Sequence, residues 1–137
     1  MKNAIFLAPM LLLLIWIASC NRYQEANNPL WGEKLYTTRC ANCHQADGKG
    51  LADLYPPLAN SDFLNNDHAK VICLIYQGAK GEMVVNGKTY KQVMPANTDL
   101  SHEALAALTT YIYQKIAQQA QTTIIPLEVQ QALSECK

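Results

Sequence analysis

The sequence is short of several things, and each shortage removes a class of function. It has no run of basic residues, and Lys plus Arg number 11 against 11 Asp plus Glu, for a formal net charge of +0. Nothing there recommends a nucleic-acid partner, whose phosphates require a clustered positive surface. With 137 residues, 50% apolar and 16% charged, there is room for one small domain and no second. The longest apolar run, Ala4 to Ile17, is short of the about 20 residues a spanning helix needs. The carboxylates are scattered and no Ser-His-Asp spacing is present, so no catalytic constellation and no small-molecule substrate are expected. A second closely spaced cysteine pair is also missing, which weakens any closed zinc site.

What the N-terminus does have is the layout of an export signal, Met1-Lys2-Asn3 followed by the apolar run. The run ends in Ile17-Ala18-Ser19-Cys20, which resembles the lipobox of bacterial lipoproteins, where cleavage before the cysteine leaves it carrying lipid. The expected division is a signal peptide over 1–19, a lipidated tether over 20–28 and a domain over 29–137. Cys20 would then hold the chain on a lipid membrane of the bacterial cell envelope, facing the periplasm or the outer side. The alternative is an uncleaved anchor with Cys20 as an ordinary thiol, and the body is exported in either case. The tether, Asn21 to Asn28, is polar and reaches at most roughly 29 Å when extended.

The domain is organised around Cys40-Ala41-Asn42-Cys43-His44. Two thiols at this spacing suit the two vinyl groups of one haem, and the imidazole directly after them suits its iron. Other readings of the same residues are a thioredoxin-like redox pair, which lacks its usual βαβ surroundings here, half of a zinc site completed by Cys73 or Cys136, and chance. With these residues the chain from about Pro29 to Ile116 resembles a class I c-type cytochrome in bacterial lipoprotein form. Gly32 and Tyr36 before the motif, Pro56-Pro57-Leu58 after it, Met94-Pro95, and Leu108 with Tyr111 carry the likeness. The resemblance implies an all-α cytochrome c fold, about three core helices around one covalent haem c, with a small β-hairpin and a short C-terminal helix. It also implies Cys40, Cys43 and His44 as haem-binding, His44 and Met94 as iron ligands, the Pro56 carbonyl as acceptor for the ligand imidazole, and Leu58 against the haem face.

Asn28 and Pro29 suit the start of a first helix, in which Trp31 and Leu35, and Gly32 and Tyr36, recur at i,i+4. The resemblance supplies Tyr111 as the neighbour that needs Gly32 bare. Gln45 to Asn66, rich in Gly, Asp, Asn and Pro, reads as a long irregular loop suited to wrapping a haem edge. Asp67 caps a second helix ending at Gly78, with Val71, Ile72, Leu74 and Ile75 as its buried arc and Cys73 off it. Glu82 to Tyr90 centres on Asn86-Gly87 and reads as a hairpin, whose Tyr90 is a candidate donor to a haem propionate. Ser101 caps a last long helix with a Leu105, Leu108, Ile112, Ile116 stripe and with Thr110 and Gln114 opposite. A tail helix after Ile125-Pro126 would pack through Leu127, Val129 and Leu133. His68 and His102 fall at helix starts on polar faces and read as surface residues.

For the sixth iron position the exported chain offers two methionines. Met83 lies in the hairpin beside Val84 and Val85, whereas Met94 lies in a short loop stiffened by Pro95, and the resemblance selects Met94 as well. The alternative makes Met94 a gap-filler, with the iron open or held by His68 or His102. Once haem and lipid are assigned, Cys73 and Cys136 remain, and an oxidising compartment would join them; two separated free thiols is the other outcome. The expected function is a membrane-tethered electron-transfer protein with one haem cycling between ferric and ferrous iron, exchanging electrons with protein redox partners. One alternative is a haem subunit of a larger respiratory oxidoreductase complex, and another is a haem enzyme or gas sensor with open iron. Replacing Cys20 with alanine is expected to block lipid-dependent processing, and mass spectrometry of the membrane fraction checks this, since an unmodified Cys20 in the mature parent protein is incompatible with the anchor.

Overall fold

The computed structural model describes residues 28–65 and 67–136; the expected leader, Cys20 and most of the tether lie outside these residues. The elements are α1 (Pro29–Arg39), α2 (Ala41–His44), a 3₁₀ turn (Asp62–Leu64), α3 (His68–Gln77), β1 (Met83–Val85), β2 (Lys88–Tyr90), α4 (His102–Tyr111) with a π-helical turn (Ile112–Ile116), and α5 (Pro126–Glu135). This is the helical architecture with one small hairpin that the sequence implies.

Helix α1 starts as its sequence dictates, with Asn28 Oδ1 accepting from Leu30 N at 3.0 Å and proline at the first helical position. Gly32 and Tyr36 are its buried face, while Trp31 and Leu35 sit half-buried at the core margin. A Cβ at Gly32 would lie 2.7 Å from Tyr111 Cβ and closer still to the Ala107 carbonyl oxygen, so α1 and α4 cross with backbone nearly against backbone. The Tyr36 and Tyr111 rings pack 5.5 Å apart beside this crossing. Arg39, in the last turn of α1, forks onto Asp99 through Nη1–Oδ1 at 2.9 Å and Nη2–Oδ2 at 2.7 Å, just ahead of α4.

Ser101 Oγ accepts from Ala104 N at 3.2 Å to open α4, and every residue from Ala104 to Thr109 is buried. The Thr109 hydroxyl is satisfied inside the helix by donating to the Leu105 carbonyl at 2.7 Å. An unbroken α-helix to Ile116 was the expectation, and here the structure differs. The α-helical part ends at Tyr111, and Ala117 N bonds back to Ile112 O at 2.8 Å, closing a π turn. The wider turn carries Ile116 onto Gly48, where any Cβ would collide with Ile116 Cγ2. Thr110 and Gln114, expected on an open polar face, instead hold the following segment: Thr110 Oγ1 accepts from Ile124 N at 2.9 Å and Gln114 Nε2 donates to Thr122 O at 2.9 Å. Tyr113 is fully buried, and its hydroxyl has no hydrogen-bond partner among the described residues; burial, and then the charge of Asp67, push its pKa up to about 12.

In α3, Asp67 Oδ1 accepts from Lys70 N at 3.0 Å, and Gly78 ends the helix at φ 73°. Val71, Ile72 and Ile75 are buried and Leu74 is half-buried. Cys73 points out of that arc toward α5 and forms a disulfide with Cys136, Cα atoms 5.7 Å apart. The bridge closes a span of 63 residues, which in the chain-entropy model stabilises the fold by about 4 kcal/mol. Helix α5 rests on α3 and α4 through Val129 and Ala132, with Leu133 half-buried. Leu127, expected to pack down, is exposed: at 100° per residue it lies on the far side of the helix from Val129.

The hairpin pairs Met83 with Tyr90 and Val85 with Lys88, and Asn86 and Gly87 turn at φ 51° and 74° as a type I′ connection requires. Its tip is tied to the 3₁₀ turn by a reciprocal pair, Asp62 N to Asn86 Oδ1 at 2.9 Å and Asn86 N to Asp62 Oδ1 at 2.8 Å. Residues 45–65 are irregular apart from that 3₁₀ turn and an isolated bridge between Leu51 and Tyr55. Because nothing can yield at the α1–α4 crossing without moving backbone, Gly32→Ala is expected to cost about 1–3 kcal/mol, read as a lower denaturant midpoint at unchanged slope.

Candidate functional site

Between α3, the hairpin and the loop after His44 lies an apolar cavity, its walls almost entirely carbon. Cys40, His44 and Pro56 to Leu58 form one part of its lining, and Val71, Leu74 and Ile75 of α3 another. Met83 and Val85 of β1, Met94 and Ile112 complete most of the rest. A second opening, bounded by Arg39, Cys43, Tyr55, Val93, Pro95 and Asn97, shares Cys40, His44 and Met94 with the first. The two together make a slot that reaches the surface beside Cys43.

Local chemistry explains why His44 stands where it does. After the single turn of α2 the chain reverses at Gln45, φ 65°, whose carbonyl accepts from the buried Tyr36 hydroxyl at 2.7 Å. Burial holds that phenol far above its ordinary pKa, so it remains a donor. Gly50 N then bonds to His44 O at 3.0 Å, and Leu58 N and Ala59 N both bond to Gly48 O. This folded loop sets the Pro56 carbonyl 2.9 Å from His44 Nδ1. A carbonyl can only accept, so Nδ1 carries the hydrogen and Nε2 is left with its lone pair free to bind a metal. Burial lowers the His44 pKa, the Pro56 bond works against that shift, and the neutral imidazole is the ligating form.

The thiols of Cys40 and Cys43 are free, Cys40 buried and Cys43 half-buried. Burial pushes the Cys40 thiol up to about 11, with the Arg39 guanidinium pulling the other way. Met94 is held by backbone pairing with Ala79, both N–H to O distances being 3.0 Å. Asn97 secures the same loop to the end of α3, its Nδ2 donating to Ile75 O at 2.9 Å and its N to Tyr76 O at 2.9 Å.

The slot therefore brings together Cys40, Cys43, His44, Pro56, Leu58 and Met94. Tyr90 is buried in the hairpin under the Lys88 ammonium and does not line the slot. His68 and His102 are exposed, His68 edge-on to the Tyr113 ring at 4.6 Å, and neither reaches it. Sequence reasoning gave Met83 no role at the cavity, and it missed Asn97 altogether. The alternation of Met83 and Val85 along one strand face was the available signal for the first; a side chain capping another helix's carbonyls leaves none.

Two free thiols, a tautomerically fixed imidazole, a thioether and walls of aliphatic carbon fit a flat, apolar, iron-bearing group attached through sulfur. A small helical fold closed around such a slot defines a class I c-type cytochrome. The family model for cytochrome c matches residues 31–115, and the chain belongs to the cytochrome c family. It is similar to two proteins named cytochrome c-552, both from Thermus thermophilus, the second from a specified strain of that organism. Each is 33% identical over 85 residues, which cover 59% of this chain and 64% and 57% of the relatives, so the match spans less than two thirds of either. The cofactor is covalent haem c.

Gly50, φ 71°, is the residue that lets the loop close: a Cβ there would lie 2.7 Å from both the carbonyl carbon and oxygen of Pro56. Gly50→Ala is expected to displace that carbonyl and destabilise the haem-loaded protein by about 1–3 kcal/mol, with a shifted His44 Nδ1–H resonance in the NMR spectrum.

Proposed function

We propose that the chain is an exported electron-transfer protein, tethered to a membrane through a lipidated Cys20, in which Cys40 and Cys43 would hold one haem and His44 and Met94 would ligate its iron. The observation that carries this reading is the convergence of His44 and Met94 on one apolar slot beside two free thiols. When bound, the haem supplies one-electron chemistry between ferric and ferrous iron. The chain's own part is to fix the ligands and exclude water. Pro56 holds the imidazole in the ligating tautomer, and the Ala79 and Asn97 bonds keep the thioether loop from swinging. The aliphatic walls from α3, β1 and Leu58 disfavour the extra charge of the oxidised state and so raise the potential, as a thioether ligand also does. With His44 and Met94 both ligating the iron, no position on it would be left for a substrate, which favours a carrier over an enzyme.

Both methionines of the described chain line the cavity, and two features support Met94 over Met83. Met94 alone borders both the inner space and the surface opening, each time with Cys40 and His44. Met94 is also followed by Pro95, which limits the freedom of its loop to swing away. A protein partner approaches nearest at that opening, between Tyr55, Val93 and Pro95. Arg39 on its rim is paired with Asp99.

Met94→Ala is expected to abolish the weak near-infrared sulfur-to-iron band of the oxidised protein, lower its potential and open the reduced protein to carbon monoxide, while Met83→Ala keeps the band. A band that survives Met94→Ala, or that the parent lacks, removes Met94 as the ligand and favours an open iron site.

A further inference from the structure

The segment after Ile116 lies beyond the part of the chain that the family model matches, yet α5 covers the outer side of α3 and is bonded to it through Cys73–Cys136. Helix α3 has two occupations. Its inner side, Val71, Leu74 and Ile75, lines the slot. Its last turn carries the Met94 loop: Ile75 O and Tyr76 O accept from Asn97, Gly78 leaves no room for a Cβ beside the Met94 carbonyl, and Ala79 pairs with Met94 in both directions. The loop's other fastening is at Asp99, through the fork from Arg39 on α1. A shift of α3 would therefore move the wall and the thioether together, and leave the His44–Pro56 side, built on α1 and its following loop, in place.

Packing alone gives α3 a limited grip on α4, since only a narrow contact joins them, whereas α3 and α5 share a broad one and the bridge. We propose that the Cys73–Cys136 bridge and α5 act as a strap that positions α3, and that its purpose is to keep Met94 on the iron. The bridge acts through α3 and touches neither the haem nor a ligand, so Cys73 and Cys136 are positioning residues. The proposal rests on the reading of Met94 as the axial ligand.

The test compares the full-length haem-loaded parent with the double variant Cys73→Ser/Cys136→Ser. The expected result is that the near-infrared sulfur-to-iron band is lost at a temperature well below that at which the helices melt, whereas in the parent the two losses coincide more closely. Carbon monoxide is expected to bind the reduced variant about tenfold faster or more. Tyr36→Phe, which removes the bond to Gln45 on the histidine side, lowers global stability without touching the strap and should move both losses together. If the double variant does not fold, the bridge is cleaved in the folded protein with a phosphine, the thiols are alkylated, and carbon monoxide binding to the reduced form is followed in the same way. A band and a carbon monoxide rate that match the parent after loss of the bridge overturn the strap, as does a Tyr36→Phe protein that separates the two losses equally well. A parent without the band overturns the Met94 reading, and the strap with it; a parent with the band and an indifferent variant overturns the strap alone.

Discussion

Much of this structure depends on one hydrogen bond, between His44 Nδ1 and the Pro56 carbonyl at 2.9 Å. It decides which imidazole nitrogen faces the slot, and it also decides the course of the loop, since the carbonyl must come back 12 residues to reach its partner. Gly48 and Gly50, both in the left-handed region, exist to permit that return: one leaves room for Ile116 and the other for the Pro56 peptide. The Tyr36 hydroxyl, bonded to Gln45, fastens the start of the same loop to α1. Helix, loop and π turn thus share a single geometric requirement, the aim of one ring.

The other half of the slot is built differently. No side chain there is aimed by a buried polar bond of its own; Met94 is placed by backbone pairing and by Asn97, which spends its amide on the otherwise unfilled carbonyl of Ile75. The Asp62–Asn86 exchange performs the corresponding task for the hairpin, holding Met83 and Val85 over the cavity. A two-stranded ribbon is marginal alone, and here it is stabilised by the loop it covers.

The parts of this arrangement that could be read from sequence are those with a local physical signature. The three caps at Asn28, Asp67 and Ser101, the Asn86-Gly87 turn and the cysteine spacing each depend on a few adjacent residues, and each recurs in the structure. The position of Pro56 was legible only through family likeness, because a carbonyl carries no residue identity. The π turn was not legible, since the Leu105 to Ile116 stripe suits an α-helix equally well; the deviation comes from Gly48, far away in sequence, which accepts Ile116. Leu127 misled for a related reason: an apolar residue in a short amphipathic segment need not lie on its buried face, and only the position of Val129 against α3 and α4 decides.

The disulfide also divides the chain topologically. Cys73 and Cys136 close a covalent ring that contains the hairpin, the Met94 loop, α4 and α5, while Cys40, Cys43 and His44 lie on the open strand leading into it. Were the described part pulled at Asn28 and Cys136, the ring would transmit the load straight across the bridge and remain slack, and the extension would come from the residues between Asn28 and Cys73. The two faces of the slot would then fail under tension as distinct mechanical units, the histidine side unravelling and the methionine side enclosed in a loop that force cannot lengthen.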